Sequence, residues 1–298
     1  MFRSPEPHGG DLVDRFVPEE EALELRERAA RLPRIALDGR ELADLDLVAT
    51  GAASPLTGFM GLRDYQGVLR RLRLADGTPW PVPVTLAVTL DRIAALLRAD
   101  AAALLDGRGR LRGVLAIQDV FVRSAREEAR AMYGTDDPAH PGVRYLLSRP
   151  PGVVGGSVTV LPTPDGEERA ALPREVRALA RRRGWSGIAG LAAADGAGCI
   201  EGTEERGGAG ALLATQRVAL RHAPGRDALL QAIVLKNYGA REVLLECERS
   251  DWLDVAARLD GEDLGVTSLP LGVRGARPEG PFFPVAPQSE RGAQGHRG

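Results

Sequence analysis

Residues Glu41–Tyr65 read ELADLDLVATGAASPLTGFMGLRDY, and the rest of the chain is best read outward from them. At their centre is Ser54-Pro55-Leu56-Thr57-Gly58-Phe59-Met60, a loop punctuated by proline and glycine with an apolar exit. Ser54 invites a reading as a nucleophile, but such a serine needs a base and a third group to orient that base. No histidine lies near it in sequence, so the loop is read as packing. On either side the pattern is of short strands with turn punctuation. Asp38-Gly39, Asp76-Gly77 and Asp106-Gly107 predict hairpin-type turns, because glycine accepts the positive φ they require. Residues 82–89 alternate like a strand, 91–97 carry a helical stripe, 111–122 form one long strand or a strand pair, and 125–133 form a short charged helix. Upstream, residues 19–32, ended by Pro33, read as an amphipathic surface helix.

A chain of 298 residues with 44% hydrophobic content can bury one large core or two ordinary ones. The net charge is −2, with both signs interspersed, so no broad cationic field exists to hold nucleic acid or anionic lipid. Aromatic residues make up 4%, few for the stacking surfaces of RNA-binding domains. No apolar run reaches the roughly eighteen residues of a membrane span, and the N-terminus MFRSPEPHGG lacks an apolar leader core. Cys199 and Cys247 are far apart and without metal-ligand spacing; they read as two reduced thiols of a cytoplasmic protein. A regulatory disulfide between them would require their strands to be neighbours.

Beyond a linker at residues 162–168 the periodicity changes. Residues 172–183 open with Pro173, suited to a helix start because its missing N–H has no partner there in any case, and Gly184 ends that helix. A buried strand at 185–191, a helix at 228–235 capped by Gly239, and a strand at 243–247 then suggest a parallel α/β unit. The Gly/Ala-rich run at 190–198 has no lysine after it and fits neither a P-loop nor a dinucleotide fingerprint.

The central block resembles the N-terminal domain of ATP sulfurylases (sulfate adenylyltransferases). So do Asp76-Gly77-Thr78-Pro79-Trp80-Pro81, Pro83-Val84-Thr85-Leu86, Tyr133-Gly134-Thr135, His140-Pro141-Gly142-Val143 and Gly155-Gly156. The resemblance implies a PUA-like barrel and, in the next domain, ATP, Mg²⁺ and sulfate chemistry. His140 is read as a structural loop residue, since no second ligand or catalytic partner stands at the right spacing.

In the second half, Leu172-Pro173-Arg174-Glu175-Val176-Arg177 and Arg183-Gly184-Trp185 match the family's approach to its catalytic strand. That strand should end in Gln-Thr-Arg-Asn-Pro followed by His-x-x-His, groups that hold sulfate and phosphates as charge develops. Counted without gaps, those positions fall on Ala192, Ala193, Ala194, Asp195 and Gly196, then Gly198 and Glu201. The family's later Arg and His fall within Glu246-Cys247-Glu248-Arg249-Ser250-Asp251. Arg221 and Arg226 stand at matching arginine positions before the 228–235 helix, where an anion would be favoured by helix-end amides. The resemblance fades after Thr267.

The expected fold is therefore α+β. It comprises a β-rich PUA-like domain over residues 1–165, a reduced α/β nucleotidyltransferase-like (Rossmann-type) domain over 166–275, and a disordered tail over 276–298. The expected function is that of an ATP sulfurylase relative without its own turnover, paired with a genuine ATP sulfurylase or another sulfur-assimilation protein, or with a second copy of itself. Substrate-binding residues would be Arg221 and Arg226, with no catalytic residue, no metal ligand and no firm cofactor. If the chain is active instead, ATP and Mg²⁺ are its ligands, and Asp195 or Glu201 would hold the metal.

Overall fold

The computed structural model describes residues 4–162, 171–185, 187–192, 196–203, 211–259 and 264–270. The linker reading at 163–168 and the tail at 276–298 lie outside them.

The first lobe contains six α-helices among its described residues. They are α1 (Ala22–Ala29), α2 (Gly39–Thr50), α3 (Leu62–Arg71), α4 (Leu90–Leu96), α5 (Ala125–Tyr133) and α6 (Pro141–Ser148). Its strands are β1 (Arg34–Ala36), β2 (Gly58–Phe59), β3 (Leu86–Val88), β4 (Ala101–Leu105), β5 (Leu111–Val122) and β6 (Gly152–Val160). They form one sheet in the order β1-β4-β5-β6-β2, with β3 also on β6, and only β1–β4 pair in parallel. β5 is a single strand, broken in register between Ile117 and Asp119. The glycines of the central block and of the β6 motif serve close approach: a Cβ on Gly58 would stand 2.0 Å from the Gly156 carbonyl oxygen.

Asp38-Gly39 is corrected. It is no hairpin turn but the start of α2, with Asp38 as N-cap. Its Oδ1 accepts from the Glu41 N–H at 2.8 Å, and the Asp38 N–H donates to Glu41 Oε2 at 2.9 Å. A carboxylate three residues beyond an aspartate is the signature of this reciprocal cap. Ser54 is structural. Its hydroxyl accepts from the Val13 N–H at 2.9 Å and donates to the Gly51 carbonyl at 2.7 Å. His140 caps α6, Nδ1 accepting from the Gly142 N–H at 3.2 Å.

The second lobe is built from α7 (Pro173–Arg183), β7 (Gly187–Ala192), β8 (Ala197–Thr203), β9 (Ala211–Arg217), α8 (Pro224–Tyr238), β10 (Glu242–Leu245), α9 (Arg249–Ala256) and β11 (Thr267–Pro270). Its sheet order is β11-β10-β7-β8-β9, parallel from β11 to β7 and antiparallel from β7 to β9. The β7–α8–β10 unit is the parallel α/β crossover expected from the sequence. The molecule is thus α+β, a PUA-like lobe joined to a Rossmann-type one. β8, bearing Cys199, and β10, leading to Cys247, flank β7 on opposite sides. Two strand spacings of about 4.8 Å exceed the Cα separation of a disulfide, roughly 4.4–6.8 Å, so that pairing is excluded; Cys247 is a free thiol.

α8 is buried from Gly225 to Tyr238 on every face, which marks a helix packed on all sides. One hydrophobic core runs through both sheets, from Leu45 and Trp80 in the first lobe to Ile233 and Val243 in the second. The polar residues of α8 survive there because each finds a partner. Arg226 donates to the Pro81 and Ala131 carbonyls at 2.9 and 2.8 Å, and Asn237 Nδ2 donates to the Ala52 and Ser54 carbonyls at 2.9 and 3.1 Å.

Candidate functional site

In open α/β sheets, ligands bind beyond the carboxyl ends of the parallel strands, near helix N-termini. Here that place is a cleft of about 270 Å³ between the start of α8 and the turn from β10 into α9. His222, Asp227, Gln231, Glu246, Glu248 and Asp251 supply its polar wall, and Cys247 lies among them. The lining holds four carboxylates, one histidine and no arginine or lysine among the described residues. The segment Glu246–Asp251, singled out from sequence, does form one wall.

Asp227, in the first turn of α8, bonds back to the segment that enters the helix. Asp227 Oδ1 accepts from the Arg221 N–H at 2.8 Å and Oδ2 accepts from the Ala223 N–H at 2.9 Å. Burial raises the Asp227 pKa, while these amides and the charge of Arg221 pull it down. Burial lowers the His222 pKa, and the nearby Arg40 lowers it further. Burial, then the charges of Asp251 and Glu248, push the Cys247 thiol up to about 11. His222 also adopts φ 62°, a left-handed conformation uncommon for a non-glycine residue. Nothing in the sequence signals that conformation; Asp227 could have been found from its place in the first turn of a helix.

The sequence-derived positions fall in three groups. Arg221 and Arg226 are both buried and both directed away from the cleft. Arg221 Nη2 donates to both oxygens of Asp44 in α2, at 2.7 and 2.6 Å, and Arg226 reaches first-lobe carbonyls. Ala192 and Gly198 are brought together as register partners of β7 and β8. With Gly196, Val218, Gln231, Val234 and Leu235 they enclose a crevice of about 10 Å³, room for roughly one water. Glu201 faces Ala189 in the same register, Arg249 is exposed at the start of α9, and Ala194 and Asp195 lie outside the described residues. Asp44, the partner of Arg221, was not singled out, because 177 residues separate the two in sequence.

ATP and Mg²⁺ do not fit the described residues. Carboxylates, with no arginine or lysine beside them, line the cleft against a polyphosphate, and among the described residues no three His, Cys, Asp or Glu side chains are grouped to hold a metal ion. Among the described residues no helix is long and apolar enough to cross a membrane.

The sequence profile of the PUA-like domain matches residues 5–163. This covers more than half of the 298 residues, so the chain belongs to the PUA-like domain family. It is similar to the sulfate adenylyltransferase of Symbiobacterium thermophilum, 46% identical over 188 residues, covering 62% of this chain and 48% of that one. The probable bifunctional SAT/APS kinase 2 of Sorangium cellulosum is 40% identical over 188 residues, 62% of this chain and 32% of its own length. Among solved structures, the hexameric APS kinase from Thiobacillus denitrificans superposes with a TM-score of 0.63 at 26% identity, over 90% of this chain and 56% of that one. The chain spans about half the length of the sulfate adenylyltransferases it matches.

Proposed function

We propose that this chain serves sulfate activation as a non-catalytic relative of sulfate adenylyltransferase. The observation that carries the reading is the chemistry of the cleft: four carboxylates line it, with no arginine or lysine among its described lining residues. A triphosphate and a sulfate are polyanions, and their transfer chemistry needs cations and donors aimed at developing charge. A wall of Glu246, Glu248 and Asp251 repels them instead. The crevice at Ala192 and Gly198 supports the same conclusion, since it is too small for a phosphate group.

The role is then carried by protein contact. A genuine ATP sulfurylase, another sulfur-assimilation protein or a second copy of this chain is the partner, met through the well-kept first lobe, in the cytoplasm. The hexameric state named for the Thiobacillus denitrificans protein is in keeping with self-association.

Incubation of the purified chain with ATP, Mg²⁺ and sulfate, following pyrophosphate release, tests the reading. The expected result is release no faster than the blank. Sustained turnover dependent on sulfate would overturn it, and would return ATP and Mg²⁺ to the site.

A further inference from the structure

Lys236, in the last turn of α8, is the single lysine of the chain, and it is only 8% exposed. A lysine near a helix C-terminus ordinarily turns its ammonium to water or to the last carbonyls, where the helix dipole favours a cation. Here Arg177 of α7 has taken that place. Its Nη2 donates to the Lys236 carbonyl and its Nε to the Asn237 carbonyl, both at 2.7 Å. Lys236 Nζ has no hydrogen bond or ion pair among the described residues, yet it is not shut off from solvent as Trp80 Nε1 and Ser268 Oγ are.

The way in lies past Gly265, an exposed residue just before β11. A Cβ on Gly265 would stand 3.7 Å from Nζ, so the glycine leaves that side of the amine uncovered. A nearly buried ammonium without a partner is costly, and lysine, unlike arginine, can answer by giving up its proton. Burial lowers the Lys236 pKa, Arg177 lowers it further, and Glu6 of the N-terminal segment partly restores it. Desolvation and a neighbouring cation are the two means by which a lysine amine becomes a nucleophile.

We propose that Lys236 is a modification site, taking an acyl group from a small activated acyl donor of the acyl phosphate class. The neutral amine attacks the acyl carbon and the N–C bond forms. The C–O bond to phosphate breaks, and phosphate leaves with the bonding pair and the amine's proton. An amide cannot regain the positive charge, so acylation removes the repulsion with Arg177 permanently. An imine could be protonated again and would restore it. The site is separate from the acidic cleft and does not depend on whether the chain turns over sulfate.

Acetyl phosphate is the probe, with adducts on the folded full chain located by peptide mass and the α-amino group as internal standard. One acetyl group is expected on Lys236 and none in Lys236→Arg. The pH midpoint of its labelling rate should lie below that of the same lysine in a short peptide of residues 232–241. A bulky biotin N-hydroxysuccinimide ester should label the α-amino group and spare Lys236 until urea unfolds the chain. Acetylation confined to the unfolded chain, or a midpoint no lower than the peptide's, would overturn the assignment. Equal labelling by the bulky ester would do so as well, since it would show an ordinary surface lysine.

Discussion

Arg221 and Asp44 form a buried ion pair in which a single guanidinium nitrogen, Nη2, lies 2.7 and 2.6 Å from the two carboxylate oxygens. The pair ties the segment before α8 to α2 of the first lobe. Removing one partner leaves the other charge buried alone. Asp44→Ala or Arg221→Ala is therefore expected to destabilise the protein by about 3–5 kcal/mol, read from urea unfolding. Replacing both with apolar residues of similar size should cost clearly less than the sum of the two single changes. Strict additivity would show that the pair is not coupled.

Asn237 is a hub of the same junction. Its Oδ1 accepts from the His8 N–H at 2.8 Å while its Nδ2 donates to the Ala52 and Ser54 carbonyls, all out of reach of water. Asn237→Ala strands one donor and two acceptors, with an expected loss on the order of 2–4 kcal/mol. It should also release the segment around His8 to proteases. Mass-mapped limited proteolysis with an unchanged N-terminal cleavage pattern would count against this hub role.

Gly225 sets the distance between α8 and α9. A Cβ there would lie 2.2 Å from the Asp251 carbonyl oxygen and 2.7 Å from Val255 Cγ2. The first of these is backbone, so α9 has to move. Gly225→Ala should cost about 1–3 kcal/mol, as overpacking does, and should displace the Glu248–Asp251 wall of the cleft. Thermal unfolding gives the first quantity, and a changed alkylation rate at Cys247 reports the second.

Cys247 predicts a pH dependence. With its folded pKa raised to about 11 by burial and by Asp251 and Glu248, the thiol stays protonated at pH values where an unfolded thiol, near 8.5, ionises. The stabilising contribution is therefore fully present below about 8.5 and is lost as pH rises through 11. Iodoacetamide labelling of Cys247, read by peptide mass, should be slow at pH 8 and reach half its plateau near pH 11. Asp251→Asn together with Glu248→Gln should shift that midpoint down. A midpoint close to that of a free thiol would show that the carboxylates do not act on it.

Much of the fold was legible because its cues are local. Pro173 and Gly184 bound α7 as the N1 and left-handed C-terminal positions they favour, and 125–133 is helical as its charges and apolar spacing suggest. The β7–α8–β10 crossover followed from strand, helix and strand in order. Asp38-Gly39 misled, since Asp-Gly suits a hairpin turn and a helix entry alike; the reciprocal bond to Glu41 decides between them. The candidate site was legible where it is contiguous, along Glu246–Asp251, and illegible where it depends on distant partners. Arg221 and Arg226 resembled free anion hooks because nothing near them in the chain reveals Asp44, Pro81 or Ala131.

The sequence by itself determined the PUA-like family, the α+β class and the run of alanine, glycine and acids over residues 192–201. Those are properties of residue type and short-range order, and they survive without coordinates. Only the tertiary structure decided that α8 is buried on all sides, that Arg221 and Arg226 bind the first lobe, and that Asp227 bonds back to the Arg221 and Ala223 N–H groups. Burial and pairing depend on chain segments brought together from far apart, and a guanidinium can equally hold a ligand or a neighbouring helix until its surroundings are known.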